Sequence, residues 1–219
     1  MNKTLKCAIS RFFGLTVGLC MAVTPLAAEN TPTYSEPVLL KRSEAVFSNP
    51  TDLAISPEGG YLLVADTGNN EIKIMQPGTL KILSQFGKED LEAPRNLYFA
   101  KNGNLLVIDR NNTRQVSYTF KGVFRDGSAN VKKLGEKSAE ADQTSRPELA
   151  KDSTGQFYRA APDANQIEIF DKKNNRIGLY GAGELSSPSA VETVGRYFWI
   201  ADTGNNRILL LKAPRPQGP

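Results

Sequence analysis

Residues 64–70 read V-A-D-T-G-N-N, and residues 200–206 read I-A-D-T-G-N-N. Six identities in seven positions, at opposite ends of a 219-residue chain, mark a repeated unit. A repeat restricts the fold to architectures in which one small supersecondary element recurs, each copy covering the apolar face of the next.

Superposing the two copies exposes the rest of the unit. Each begins at a Pro (Pro50, Pro188), passes a Gly (Gly59, Gly195), and enters an apolar run, Tyr61–Ala65 or Tyr197–Ala201. The D-T-G-N-N turn follows, and a second run starts at Ile72 or Ile208. Two weaker copies start at Pro94 and Pro147, so the Pro-to-Pro steps are 44, 53 and 41 residues. A polar insertion, Asp126 to Ser145, lengthens the middle step; it reads as a solvated loop, or as a lid or partner contact over one face.

Short runs rich in Tyr, Phe, Val and Ile, punctuated by Gly, Asn and Pro, predict antiparallel strands. Four strands per unit of this length is the arithmetic of a β-propeller blade. In the first unit the strands fall at Asp52–Ser56, Tyr61–Ala65, Ile72–Gln76 and Leu80–Gln85. Ile72 and Ile74 alternate with Glu71 and Lys73, the two-residue period of a strand. No stretch after the leader carries a sustained helical period.

The pattern Pro…Gly-x-(apolar)₃-Ala-Asp-Thr-Gly-Asn-Asn-Arg-Ile resembles the NHL repeat, and Asp202–Ile208 matches it residue for residue. The first copy departs at Glu71, where Arg is usual. The second keeps Asp109 with one extra residue expected before Val116. The third has Ala161 in place of Asp, so its turn must be held differently. The resemblance runs from Pro50 to about Lys212 and implies an all-β propeller of about four NHL-type blades, starting near 50, 94, 147 and 188. The fourth copy runs into Pro214 after three strands, while Glu36–Arg42 has no blade of its own. The N-terminal strand is therefore expected to pair with the last blade and close the circle, hiding two edges. An open arc completed by dimerisation is the rival, and oligomeric state stays open.

The turn residues Asp66, Asn69, Asn70, Asp109, Asp202, Asn205 and Asn206 read as structural, because Asp and Asn bond nearby backbone and Asn tolerates positive φ. No catalytic residue and no metal ligand is assigned. The candidate channel-facing residues are Asp52, Arg95, Asn96, Glu148 and Arg159.

Residues 1–28 form a secretory signal peptide: Lys3, Lys6 and Arg11, an apolar core from Phe12 to Val23, then small residues to Ala28. Cys20 does not read as a lipidation site, since Leu19 stands where a small residue is needed. Residues 29–35 are a polar linker, 36–213 the propeller, and 214–219 a Pro-rich tail expected to be extended or disordered and unable to continue a ladder. Loss of Lys3, Lys6 and Arg11 leaves 24 cations against 23 acids, a balance that gives no footprint for nucleic acid. Cleavage leaves no stable membrane span. Both cysteines, Cys7 and Cys20, leave with the leader, so packing replaces disulfides.

The chain contains no histidine. That removes imidazole zinc sites, His acid–base work and Ser-His-Asp triads, and it weighs against the similar propellers that amidate peptides with histidine-held metal. The reading is an exported, non-enzymatic recognition or assembly module of the bacterial envelope, periplasmic or secreted. It needs no cofactor and has a protein or small-ligand partner. Two alternatives stay open: a Ca²⁺-assisted lactonase- or esterase-like enzyme with oxygen ligands, and an extracytoplasmic sensor domain if the leader is uncleaved.

Overall fold

The computed structural model describes residues 33–110, 112–138 and 149–217. The expected leader, part of the linker, Glu148 and the last two residues lie outside the described residues.

The described chain is all-β. In order, the strands are β1 (Thr33–Tyr34), β2 (Val38–Arg42), β3 (Pro50–Ile55), β4 (Leu62–Asp66), β5 (Glu71–Met75) and β6 (Ile82–Phe86). Then come β7 (Asn96–Phe99), β8 (Leu105–Asp109), β9 (Arg114–Val123) and β10 (Ala129–Ser138). They are followed by β11 (Ala150–Lys151), β12 (Phe157–Ala161), β13 (Gln166–Phe170) and β14 (Arg176–Tyr180). The last are β15 (Ala190–Val194), β16 (Tyr197–Asp202), β17 (Arg207–Lys212) and β18 (Pro216–Gln217). Helical structure among the described residues is confined to three short 3-10 turns, Thr67–Asn69, Pro162–Ala164 and Thr203–Asn205. No helix among them is long and apolar enough to cross a membrane.

The strands form antiparallel four-stranded sheets, one per sequence unit: β3-β4-β5-β6, β7-β8-β9-β10, β11-β12-β13-β14 and β15-β16-β17-β2. The fourth sheet takes its outer strand from the N-terminal side, with Leu211 opposite Leu39 and Lys212 opposite Val38. Cross-strand pairing repeats from copy to copy, with Asp66 opposite Glu71, Asp109 opposite Arg114 and Asp202 opposite Arg207. The second copy thus carries no extra residue in its turn, a correction to the sequence reading. Gln115 takes the place of Ile208, and Val116 is simply the next residue.

Two further expectations are corrected. Much of the insertion Asp126–Ser145 is ordered as sheet: Asp126–Ser128 make a tight turn and Ala129–Ser138 form β10, the outer strand of the second sheet. Its side chains are mostly exposed and polar, so the apolar alternation that signals a strand is missing. The Pro-rich tail also pairs: β18 lies against β1, with Tyr34 opposite Pro216. Ser35 and Arg215 exchange two hydrogen bonds beside it, at 2.9 and 3.0 Å. Pro is tolerated there because an edge strand needs donors on one side only.

Three buried clusters hold neighbouring sheets together. Period-two alternation splits β4: Leu62 and Val64 pack with Trp199, Ile208 and Leu210 of the fourth sheet, while Leu63 and Ala65 pack with Leu97, Val107 and Tyr118 of the second. Tyr158, Ile167 and Ile169 of the third sheet pack with Phe198, Ile200 and Leu209 of the fourth. Alternation leaves Gln115, Ser117 and Thr119 on the other face of the second sheet, and Phe157, Arg159, Glu168 and Phe170 on the other face of the third. Among the described residues no buried apolar cluster joins those two faces.

Candidate functional site

The repeated turns lie at the junctions between sheets. Each Asp accepts a backbone N–H from the segment leading into its own sheet: Ser48 to Asp66 at 2.7 Å, Glu92 to Asp109 at 3.1 Å, Ser186 to Asp202 at 2.8 Å. The next N–H goes elsewhere. That of Asn49 is donated to Asn206 Oδ1, that of Ala93 to Asn70, and that of Ser187 to Asn165, at 2.7–2.8 Å. Two consecutive amides thus divide between a sheet and the one before it, stapling the fourth sheet to the first, the first to the second and the third to the fourth. The receiving Asn70, Asn165 and Asn206 are left-handed, with φ of 59°, 53° and 52°. The Asp contacts reach 16 to 18 residues back rather than two forward, so the turns join segments more than they close locally.

Thr and Gly of the motif complete the staple. The Thr67 and Thr203 hydroxyls donate to the carbonyls of Pro94 and Pro50 at 2.6 and 2.7 Å. A Cβ on Gly68 would stand 2.3 Å from Ser48 Oγ, and one on Gly204 equally close to Ser186 Oγ. Close approach, rather than positive φ, reserves these positions for glycine.

Beneath each buried Asp sits a cation, and its source differs. Arg207 Nε lies 2.7 Å from Asp202, and Arg114 binds Asp109 through two nitrogens at 2.8 and 2.5 Å. In the first sheet Glu71 occupies the Arg position, and Lys73, two residues further on, bridges both Asp66 and Glu71. Burial pulls the Lys73 pKa down, but its hydrogen bonds and charge pairing with the two acids outweigh this and raise it. The third sheet has lost both partners together, with Ala161 and Gln166 in the two positions. Asn69 and Asn205 add one amide each to Asp66 and Asp202, at 2.9 Å.

A second feature is a cavity of about 370 Å³ between the first strands of all four sheets. Its polar lining comes from Tyr98, Lys151, Glu192 and Thr193, and its apolar lining includes Ile55, Phe99 and Val191. The volume lies at the lower end of the range for small-molecule sites. Burial pushes the Tyr98 phenol above its usual pKa. Lys151 places its ammonium 5.3 Å from the Phe157 ring centroid, and the Lys151 carbonyl accepts the Thr193 hydroxyl at 2.7 Å.

None of Asp52, Arg95, Asn96 and Arg159 lines this cavity. Asp52 is buried and accepts the Leu97 N–H at 2.9 Å, tying the first sheet to the second. Arg95 and Asn96 are exposed at the entry to β7. Arg159 stands on the second strand of its sheet, donating to Glu168 at 2.8 and 2.5 Å, and this bonding holds the Glu168 carboxyl below its ordinary pKa. The residues that reading missed follow a rule: Ala54, Tyr98, Lys151 and Glu192 each stand four places after their unit's Pro, and all four line the cavity. Period two carries the face from Asp52 to Ala54 or from Ala190 to Glu192. No group of three or more acids, His or Cys suited to a metal ion occurs among the described residues.

No family model matches this sequence, and neither does any curated protein. Among solved structures, the chain is similar to the β-propeller domain of Cps50 (Swd1) from Myceliophteria thermophila, at 13% identity and TM-score 0.35, covering 75% of this chain and 51% of that one. It is similar to virginiamycin B lyase from Staphylococcus aureus at 14% identity and TM-score 0.30, with coverages of 75% and 52%. A putative 6-phosphogluconolactonase from Bacteroides uniformis gives 18%, TM-score 0.32, and coverages of 74% and 50%. The neighbours are β-propeller proteins, and the chain spans about half the length of each.

Proposed function

We propose that this protein is an exported, non-enzymatic β-propeller of four NHL-type blades that recognises a protein or small ligand in the bacterial envelope. The observation that carries the reading is the cavity lined by the same register position of all four units, where one cation, one acid, one phenol and the Thr193 hydroxyl stand among apolar residues. Such a wall orients a ligand by a few polar contacts and holds it by apolar area. Support for a ring comes from the strand exchange that completes the fourth sheet and from the Asn206 staple to Asn49. The lack of histidine in the sequence supports binding over catalysis.

The test is capture from an envelope extract on immobilised protein, beside the double variant Lys151→Ala/Glu192→Gln with matched melting temperature. A partner retained by the wild type and lost by the variant is the expected result. Equal retention by both would move recognition away from the cavity. Lactone hydrolysis that chelator abolishes and calcium restores would replace this reading with the enzymatic one.

A further inference from the structure

The second sheet ends in a hairpin unlike those of its neighbours. β9 and β10 are ten residues each, whereas β8 meets β9 only over Arg114–Tyr118. Residues from Thr119 to Lys132 therefore run past the sheet as a two-stranded projection. Its root is pinned: Phe120 makes edge contacts with Tyr61 and Phe99, and Gly122, at φ 90°, lies too close to the Tyr61 ring for a Cβ. The tip is set by Phe124 N–H donating to the Ser128 carbonyl at 2.8 Å and by Asp126 accepting from Ser128. This projection is a firm feature, built by sheet and turn chemistry.

What it presents is an aromatic ring among cations. Phe124 at the tip is 52% exposed, and Leu134 further down β10 is 49% exposed. Lys121, Arg125 and Lys132 are exposed around the tip; the hairpin's ion pairs engage Arg114 and Lys133 instead. Thr119 stands opposite Lys132, so Lys121 and Lys132 are diagonal neighbours on one face. The single acid of the tip, Asp126, is already occupied by the turn. In a chain near charge balance after residue 28, this excess is a local concentration of positive charge.

We infer that the β9–β10 hairpin docks on an anionic lipid bilayer, with Phe124 entering the interface and Lys121, Arg125 and Lys132 contacting the headgroups. Cations alone fit any polyanion; an aromatic at the apex among three cations matches a surface that carries anionic charge over an apolar phase.

The test is sedimentation of the protein, purified from the envelope fraction, with vesicles of phosphatidylglycerol mixed with phosphatidylcholine and with vesicles of phosphatidylcholine alone. Variants share the same N-terminus, so any contribution from it is common to all. We expect salt-sensitive binding to the anionic vesicles only, weakened about 5-fold or more by Phe124→Ala, from the lost apolar area. Lys121→Gln/Arg125→Gln/Lys132→Gln should weaken it by about 10-fold or more. All four positions are exposed, and unchanged melting curves exclude unfolding. With Phe124→Trp, emission should shift to the blue on anionic vesicles. The inference is overturned by absence of anionic-vesicle binding, or by binding indifferent to these variants. Equal binding of heparin by wild type and Phe124→Ala, with no vesicle binding, would reassign the cations to a soluble polyanion. Capture through the cavity is measured separately, so failure here leaves that reading standing.

Discussion

The first and third sheets descend from the same repeat, yet only the first is clothed on both faces. Every residue of β4 and β5 is buried, and β4 sends alternate side chains into two different clusters. In β12 and β13 only Tyr158, Ile167 and Ile169 are fully buried, all on one face, while the other carries Phe157, Arg159, Glu168 and Phe170. The turns follow suit: the first sheet keeps a buried Asp with a buried Lys, and the third has neither charge. A repeat therefore tolerates loss of its ionic core where one partner disappears with the other, because an unpaired buried charge is what costs most.

The largest expected effect comes from breaking that pair on one side. Lys73→Met leaves Asp66 and Glu71 buried without their shared cation and should cost about 3–5 kcal/mol by denaturant unfolding. Adding Asp66→Asn and Glu71→Gln removes both orphaned charges and should return much of the loss; no recovery would show that lost packing of the Lys73 stem, rather than the charge, sets the cost. Next is apolar burial. Leu63→Ala should cost about 2–5 kcal/mol, whereas Phe170→Ala, on the partly exposed face, should cost well under half as much despite removing more atoms. Equal losses would mean that the third sheet is covered on that face. The smallest effect is a gain: Ala161→Asp with Gln166→Arg should restore the motif pair and add about 1 kcal/mol, with each single change neutral or worse. An additive cycle would show that the third turn has diverged beyond repair.

The first and fourth turns and the strand pattern around them are legible in sequence because burial on both faces yields long apolar runs. β10 is not legible because an outer strand with exposed side chains imposes no apolar alternation. Lys73 was obscured for another reason: a cation displaced by two residues keeps its face of the strand, so Glu71 looked like a lost partner while the partner had only moved. In the cavity, alternation indicates the face of the first strands, but depth along the strand is set by how the sheets meet. Asp52 and Ala54 share a parity, yet one ties a neighbouring sheet and the other lines the cavity.

The exchanged strand β2 and the short pair β1–β18 also govern the order in which the molecule can be assembled. Chain order delivers β2 early and β15, β16 and β17 much later, so for most of synthesis β2 has no sheet to join. The first and second sheets, whose strands are neighbours in sequence, can form without waiting for them. Completion then falls to a single late event, the return of the amino-terminal strand, and until it occurs Ile208–Leu211 presents an apolar edge to every other nascent chain. A chaperone that holds residues 33–42 would delay that event, and the last strand would remain the vulnerable one.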